Sequence, residues 1–114
     1  MKYIPSRGVV YIVSNTFLHE RNIFKIGHCK NLEDRLEEYN KHRHSQEFHY
    51  YIVSIFYADN AKDIVHYVQR TLKENRDEDD YFKCDIKDII DVIKTKLSEQ
   101  QPEEVTLDDL MFDI

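Results

Sequence analysis

Along this chain the spacing of apolar residues alternates between the near-continuous runs of strands and the i, i+3, i+4 stripes of helices, and the order of those switches limits the fold more than any other feature. Gly8-Val9-Val10-Tyr11-Ile12-Val13 is β-branched, almost unbroken in apolar character and closed by Ser14 and Asn15, which predicts a strand. A shorter strand is predicted over residues 22–27, with residues 14–21 as a long hairpin connection. The pattern then turns helical: Leu32, Leu36 and Tyr39 share a face, Asn31 stands at the N-cap and Asp34 in the first turn, giving a helix over about residues 32–41. Residues 48–57 are apolar on both sides, as expected of a central strand covered on two faces. Asp59 or Asn60 caps a second helix with Ala61, Ile64, Val65, Val68 and Leu72 as its stripe. An acidic turn at residues 77–80 leads to Tyr81-Phe82-Lys83-Cys84, a short strand or extended segment. Asp85 then caps a third helix with Ile86, Ile89, Ile90, Ile93 and Leu97 inward.

These elements fit one α+β domain over residues 1–97, since 114 residues with 41% apolar content and only two glycines and two prolines leave no room for a second core. No apolar run reaches the roughly 18 residues of a membrane span, and the N-terminus lacks a signal-type apolar segment, so an intracellular location without membrane contact is expected. Cys29 and Cys84 stand alone, which predicts two reduced thiols and no cysteine metal site. The net charge of −6 resides in the tail: residues 98–114 hold Glu99, Glu103, Glu104, Asp108, Asp109 and Asp113 and no base, whereas residues 1–97 balance. The body is therefore free to carry a local basic face. Residues 98–114 are expected to form an acidic flexible tail, with residues 103–114 a candidate docking segment for a protein partner.

Gly8-Val9-Val10-Tyr11, then Phe24-Lys25-Ile26-Gly27, then Asn31-Leu32-Glu33-Asp34-Arg35-Leu36, in this order and spacing, resemble the GIY-YIG endonuclease superfamily. The likeness is to its branch of short phage and large-DNA-virus domains named for an open reading frame of phage T-five, whose second motif reads Lys-Ile-Gly. Asp80-Tyr81-Phe82 is similar to the acidic-aromatic signature after the second helix. The resemblance spans about residues 8–97. It implies a small three-stranded antiparallel sheet flanked by three helices, DNA as partner, and, in active members, cleavage of one strand with a single Mg²⁺ or Mn²⁺. A viral origin would place the protein in the host cytoplasm or nucleus.

Carried over residue by residue, the resemblance makes Tyr11 the phenol that assists proton transfer from the attacking water, and Arg35 the guanidinium that grips a phosphate with its planar fork. The plain alternatives are a strand tyrosine packed under a helix and an exposed arginine pairing along its own helix. Lys25 replaces the family's second tyrosine and is either a phosphate contact or a solvated strand-end lysine. Tyr39 stands where superfamily nucleases often have histidine, keeping a hydrogen-bonding role but not an imidazole. Lys30 and Arg7, with Lys41 and Arg43, are candidate rim charges. Aligning Val68 and Leu72 with the family's apolar positions puts Val65 at the metal-binding glutamate, and valine has no lone pair for a hard cation. No cofactor is then expected, and no metal ligand is assigned. The leading expectation is a nucleic-acid-binding domain with cleavage lost or weak. The alternatives are an active metal-dependent nuclease using Asp59 or an acid of residues 77–80, and an accessory factor acting through its tail.

Overall fold

The computed structural model describes residues 8–100, so the expectations for Arg7 and for residues 101–114 of the tail fall outside the described residues. Five strands form one antiparallel sheet: β1 (Gly8–Ser14), β2 (Ile23–Cys29), β3 (Tyr51–Ala58), β4 (Arg76–Glu78) and β5 (Tyr81–Lys83). Their order is β3-β1-β2-β5-β4. Four α-helices accompany them: α1 (Thr16–His19), α2 (Leu32–Asn40), α3 (Ala61–Thr71) and α4 (Ile86–Gln100). The α+β class holds, but the expected three strands and three helices become five and four.

The additions come from segments with no apolar period. In the connection after β1, the Asn15 side chain accepts the Leu18 N–H at 2.8 Å and starts the single turn α1. The acidic turn forms the β4–β5 hairpin, reversing at Asp79, whose φ of 47° lies in the left-handed region that aspartate tolerates. β5 then pairs with β2 through Ile23–Lys83, Phe24–Phe82 and Lys25–Tyr81.

The strand covered on two faces is β1, which lies between β3 and β2 with all seven residues buried, and not β3 as its two-sided apolar run suggests. β3 has β1 as a neighbour on one side only and leaves Ile52 46%, Ile55 37% and Tyr57 38% exposed. Residues directly opposite share a face, so the pairs Val9–Tyr57, Tyr11–Ile55 and, past an irregularity, Val13–Ile52 put these three on the Tyr11 face, at the sheet's margin. An apolar run reports residue type; it does not report how many strands flank it.

The two faces of β1 bury separate cores. Val10 and Ile12, with Phe24, Ile26 and Phe82, pack under Ile64, Val65, Val68 and Leu72 of the α3 segment and Ile89 and Ile93 of α4. Val9, Tyr11 and Val13, with Cys29 and Tyr50, pack under Leu32, Leu36 and Tyr39 of α2. Each fully buried isoleucine here contributes about 2–3 kcal/mol by removal from water. The caps at Asn31 and Asp85 form as read: Asn31 accepts from Asp34 N–H at 3.0 Å and Asp85 from Lys87 N–H at 2.9 Å. Cys29 and Cys84 are unbridged. No helix among the described residues is long and apolar enough to cross a membrane.

Candidate functional site

β5 pairs with β2 only as far as Lys25. The Ile26 N–H still finds the Asp80 carbonyl at 3.1 Å, and the Ile26 carbonyl is reached by the Gln69 side chain at 3.3 Å. Beyond that point no strand among the described residues pairs with the outer edge of β2. Two helices on opposite faces of the sheet meet at this open edge, α2 with Arg35 and Tyr39 and α3 with Val65, His66 and Gln69, and enclose a cleft of about 170 Å³.

Gly27 lets Tyr11 reach it. The two residues are paired across β1 and β2, and a methyl group built on Gly27 would stand 2.5 Å from the Tyr11 hydroxyl. No glycine has a positive φ, so space and not backbone conformation makes this position glycine. The Tyr11 ring lies across Gly27, and its Oη pairs with Tyr39 Oη at 2.5 Å and accepts from Arg35 Nη1 at 3.3 Å. Burial first, then the bond to Tyr39, pushes the Tyr11 phenol well above the ordinary tyrosine range, and Arg35 opposes this without prevailing. The hydroxyl is therefore neutral at physiological pH.

Tyr11, Arg35 and Tyr39 are thus brought together in one hydrogen-bonded group. Lys25 is not a solvated strand-end lysine: its side chain is 13% exposed, with Nζ 3.5 Å from Asp80 and lying over the rings of Tyr39 and Tyr81 at 5.1 and 4.6 Å. It holds Asp80 at the cleft floor. Lys30 faces a separate cleft of about 340 Å³ at the start of α2, with Val9, Leu32, Ile55 and Tyr57. Arg43 folds back on its own neighbourhood, donating to the Tyr39 carbonyl at 2.9 Å and lying 5.0 Å from the Tyr50 ring.

Two further residues line the cleft, Asp80 and His28, and only His28 escapes a reading by pattern. Asp80, one of four acids in a charged turn, is the acid that lines the cleft, with Oδ1 3.5 Å from Gln69 Nε2 and Oδ2 facing Lys25. His28 follows Gly27 on the open edge. Burial, and then the positive groups His66, Arg35 and Lys62, lower its pKa, although Asp80 pulls the other way. A motif that ends at Gly27 does not signal His28, whereas Asp80 stands in the Asp80-Tyr81-Phe82 signature and among the candidate acids of residues 77–80. Val65 lines the cleft as an aliphatic wall. Among the described residues no three His, Cys, Asp or Glu side chains are grouped to hold a metal ion.

Comparison with known proteins adds two findings. The model of the T5orf172 domain matches residues 8–96. The putative KilA-N domain-containing protein 315L of Invertebrate iridescent virus 6 is 40% identical over 85 residues, which covers 75% of this chain and 37% of that protein. The chain thus spans well under half the length of this relative. No solved structure matches.

Proposed function

The chain belongs to the T5orf172 domain family, and from that premise we propose that it is a DNA-binding domain of viral type, built on a nuclease-like frame, whose cleft grips backbone phosphate without cutting it. The observation that carries this reading is Val65 in the wall of the cleft that Tyr11 and Arg35 share. A hydrolytic site with one divalent ion needs an oxygen ligand there, and an isopropyl group offers none. Asp80 does not make up the set: its oxygens face Lys25 and Gln69, and it is one carboxylate among neutral or cationic neighbours. The donors present do not fit a resident Mg²⁺ or Mn²⁺, and no catalytic step is derived through one.

What remains suits binding. Arg35 is hydrogen-bonded to Tyr11 and presents a charged planar fork to an anion entering the cleft. Of the two hydroxyl protons of the Tyr11–Tyr39 pair, one makes the bond between them and the other adds a donor for the same anion. The T5orf172 match and the viral KilA-N domain-containing relative support placing that anion in nucleic acid, which we read as DNA.

The test pairs two measurements on the full chain. Fluorescence anisotropy with a labelled duplex should show salt-sensitive binding that weakens in Arg35→Ala. A supercoiled-plasmid assay with Mg²⁺ or Mn²⁺ should show no nicking above the metal control. Nicking that disappears in both Tyr11→Phe and Asp80→Asn would overturn the loss of cleavage and make Asp80 the metal anchor.

A further inference from the structure

Resting on that DNA-binding reading, we infer that the exposed side of α3 is the track along which the DNA backbone leaves the cleft. Ala61, Ile64, Val65 and Val68 turn one side of α3 into the core. The other side carries Lys62, His66 and Arg70, all exposed, and the chain continues to the exposed Lys73 and Arg76. At about 100° per residue, His66 and Arg70 lie only about 40° and 80° around the helix from Lys62, so the three form one stripe. Asp63 falls about 100° from Lys62 and about 20° from Arg70, so it borders the stripe on the side away from Val65 and the cleft.

The stripe is continuous with the site. His66 and Gln69 line the Tyr11 cleft, and the same two residues, with Arg70, Lys73 and Arg76, line an adjoining open groove of about 380 Å³. The stripe is also electrically available. The ion pairs Arg21–Glu20, Lys25–Asp80 and Lys96–Glu99 do not draw on Lys62, Arg70 or Lys73. The positive groups that lower the His28 pKa at the cleft wall, after burial, are His66, Arg35 and Lys62, two of them from this stripe.

The opposite approach is closed by charge. The outer side of α2 exposes Glu33, Asp34, Glu37 and Glu38, and the groove beside it is lined by Asp34, Glu37 and Glu38 with Asn40 and Lys41. A polyanion seated on Arg35 therefore meets like charge along α2 and opposite charge along α3. Lys62, His66 and Arg70 rise by about 6 Å from one to the next. Phosphates of one strand advance about 3.4 Å along the duplex axis per nucleotide, so Lys62 to Arg70 spans roughly four nucleotides. The contacts are to backbone, which predicts strong salt dependence and little base preference.

The experiment is anisotropy of a fluorescein-labelled DNA duplex over a salt series, with the full chain. The triple substitution Lys62→Ala, Arg70→Ala and Lys73→Ala should reduce the slope of log affinity against log salt by about 2–3 and weaken binding at low salt at least tenfold. Glu37→Gln with Glu38→Gln should leave the slope unchanged. All five positions are exposed, and thermal melts report whether each variant folds. Wild-type binding that Arg35→Ala weakens, while the triple variant keeps the full slope, overturns the track alone. A wild type that binds no duplex overturns the proposed function and the track together.

Discussion

Replacing Gly27 with alanine tests the geometry on which the cleft depends. The backbone at Gly27 does not have positive φ, so an uncrowded alanine would stabilise the chain by about 0.4–1 kcal/mol through the unfolded state. The structure predicts the opposite sign. The new methyl carbon would stand 2.5 Å from Tyr11 Oη, 2.7 Å from Cζ and 3.1 Å from Cε1, where ordinary contact begins near about 3.5 Å. Tyr11 is 1% exposed between the sheet and α2, so its ring cannot swing aside without disturbing Leu36 or Tyr39. Overpacking of this kind costs about 1–3 kcal/mol, and displacing the hydroxyl from Tyr39 and Arg35 forfeits about 1 kcal/mol for each hydrogen bond. A net loss of about 2–4 kcal/mol follows, out of a typical total of about 5–15 kcal/mol. Urea denaturation followed by circular dichroism measures it. The decisive comparison is a double-mutant cycle with Tyr11→Leu, which removes the ring atoms that the methyl would strike. In that background the added cost of Gly27→Ala should fall below about 1 kcal/mol. Effects additive within about 0.5 kcal/mol, or a stabilised Gly27→Ala, would refute the account of why this position is glycine.

Two further perturbations address the chemistry. Val65→Glu should confer Mn²⁺ binding near one equivalent by isothermal titration, while exchanging a buried valine for a carboxylate lowers stability by about 1–3 kcal/mol; wild-type binding as tight as the variant's would disprove the role given to Val65. The His28 imidazole is held below its ordinary value of about 6.5 by burial and then by His66, Arg35 and Lys62. Between the folded and unfolded values the unfolded chain binds the extra proton, so His28 favours folding fully above about pH 6.5 and progressively less as pH falls through the lowered folded value. Denaturation midpoints from pH 8 to 5 should fall less steeply in His28→Asn than in wild type, and parallel curves would refute the assignment.

Legibility in the sequence followed periodicity. The α3 stripe and the caps at Asn31 and Asp85 were readable because burial at helical spacing and a short polar side chain before it leave residue-level traces. The hairpin of Arg76–Glu78 and Tyr81–Lys83 was only half readable, because β4 is exposed at all three residues and has no inward side to mark. Tyr11, Arg35 and Tyr39 entered as motif positions, and their meeting at one hydroxyl pair is a tertiary fact. Asp80 entered through the Asp80-Tyr81-Phe82 signature, but His28 depends on where a strand stops, which no residue type announces. Yet that stop creates the site. If β5 paired with β2 beyond Lys25, its backbone would cover the edge at Gly27, take the place of Gln69 at the Ile26 carbonyl and wall off Tyr11 from Arg70 and Lys73. The three-residue strand, the glycine under the phenol and the cationic side of α3 are therefore parts of one arrangement: an unfinished sheet edge at which a buried hydroxyl and a surface charge stripe border adjoining clefts.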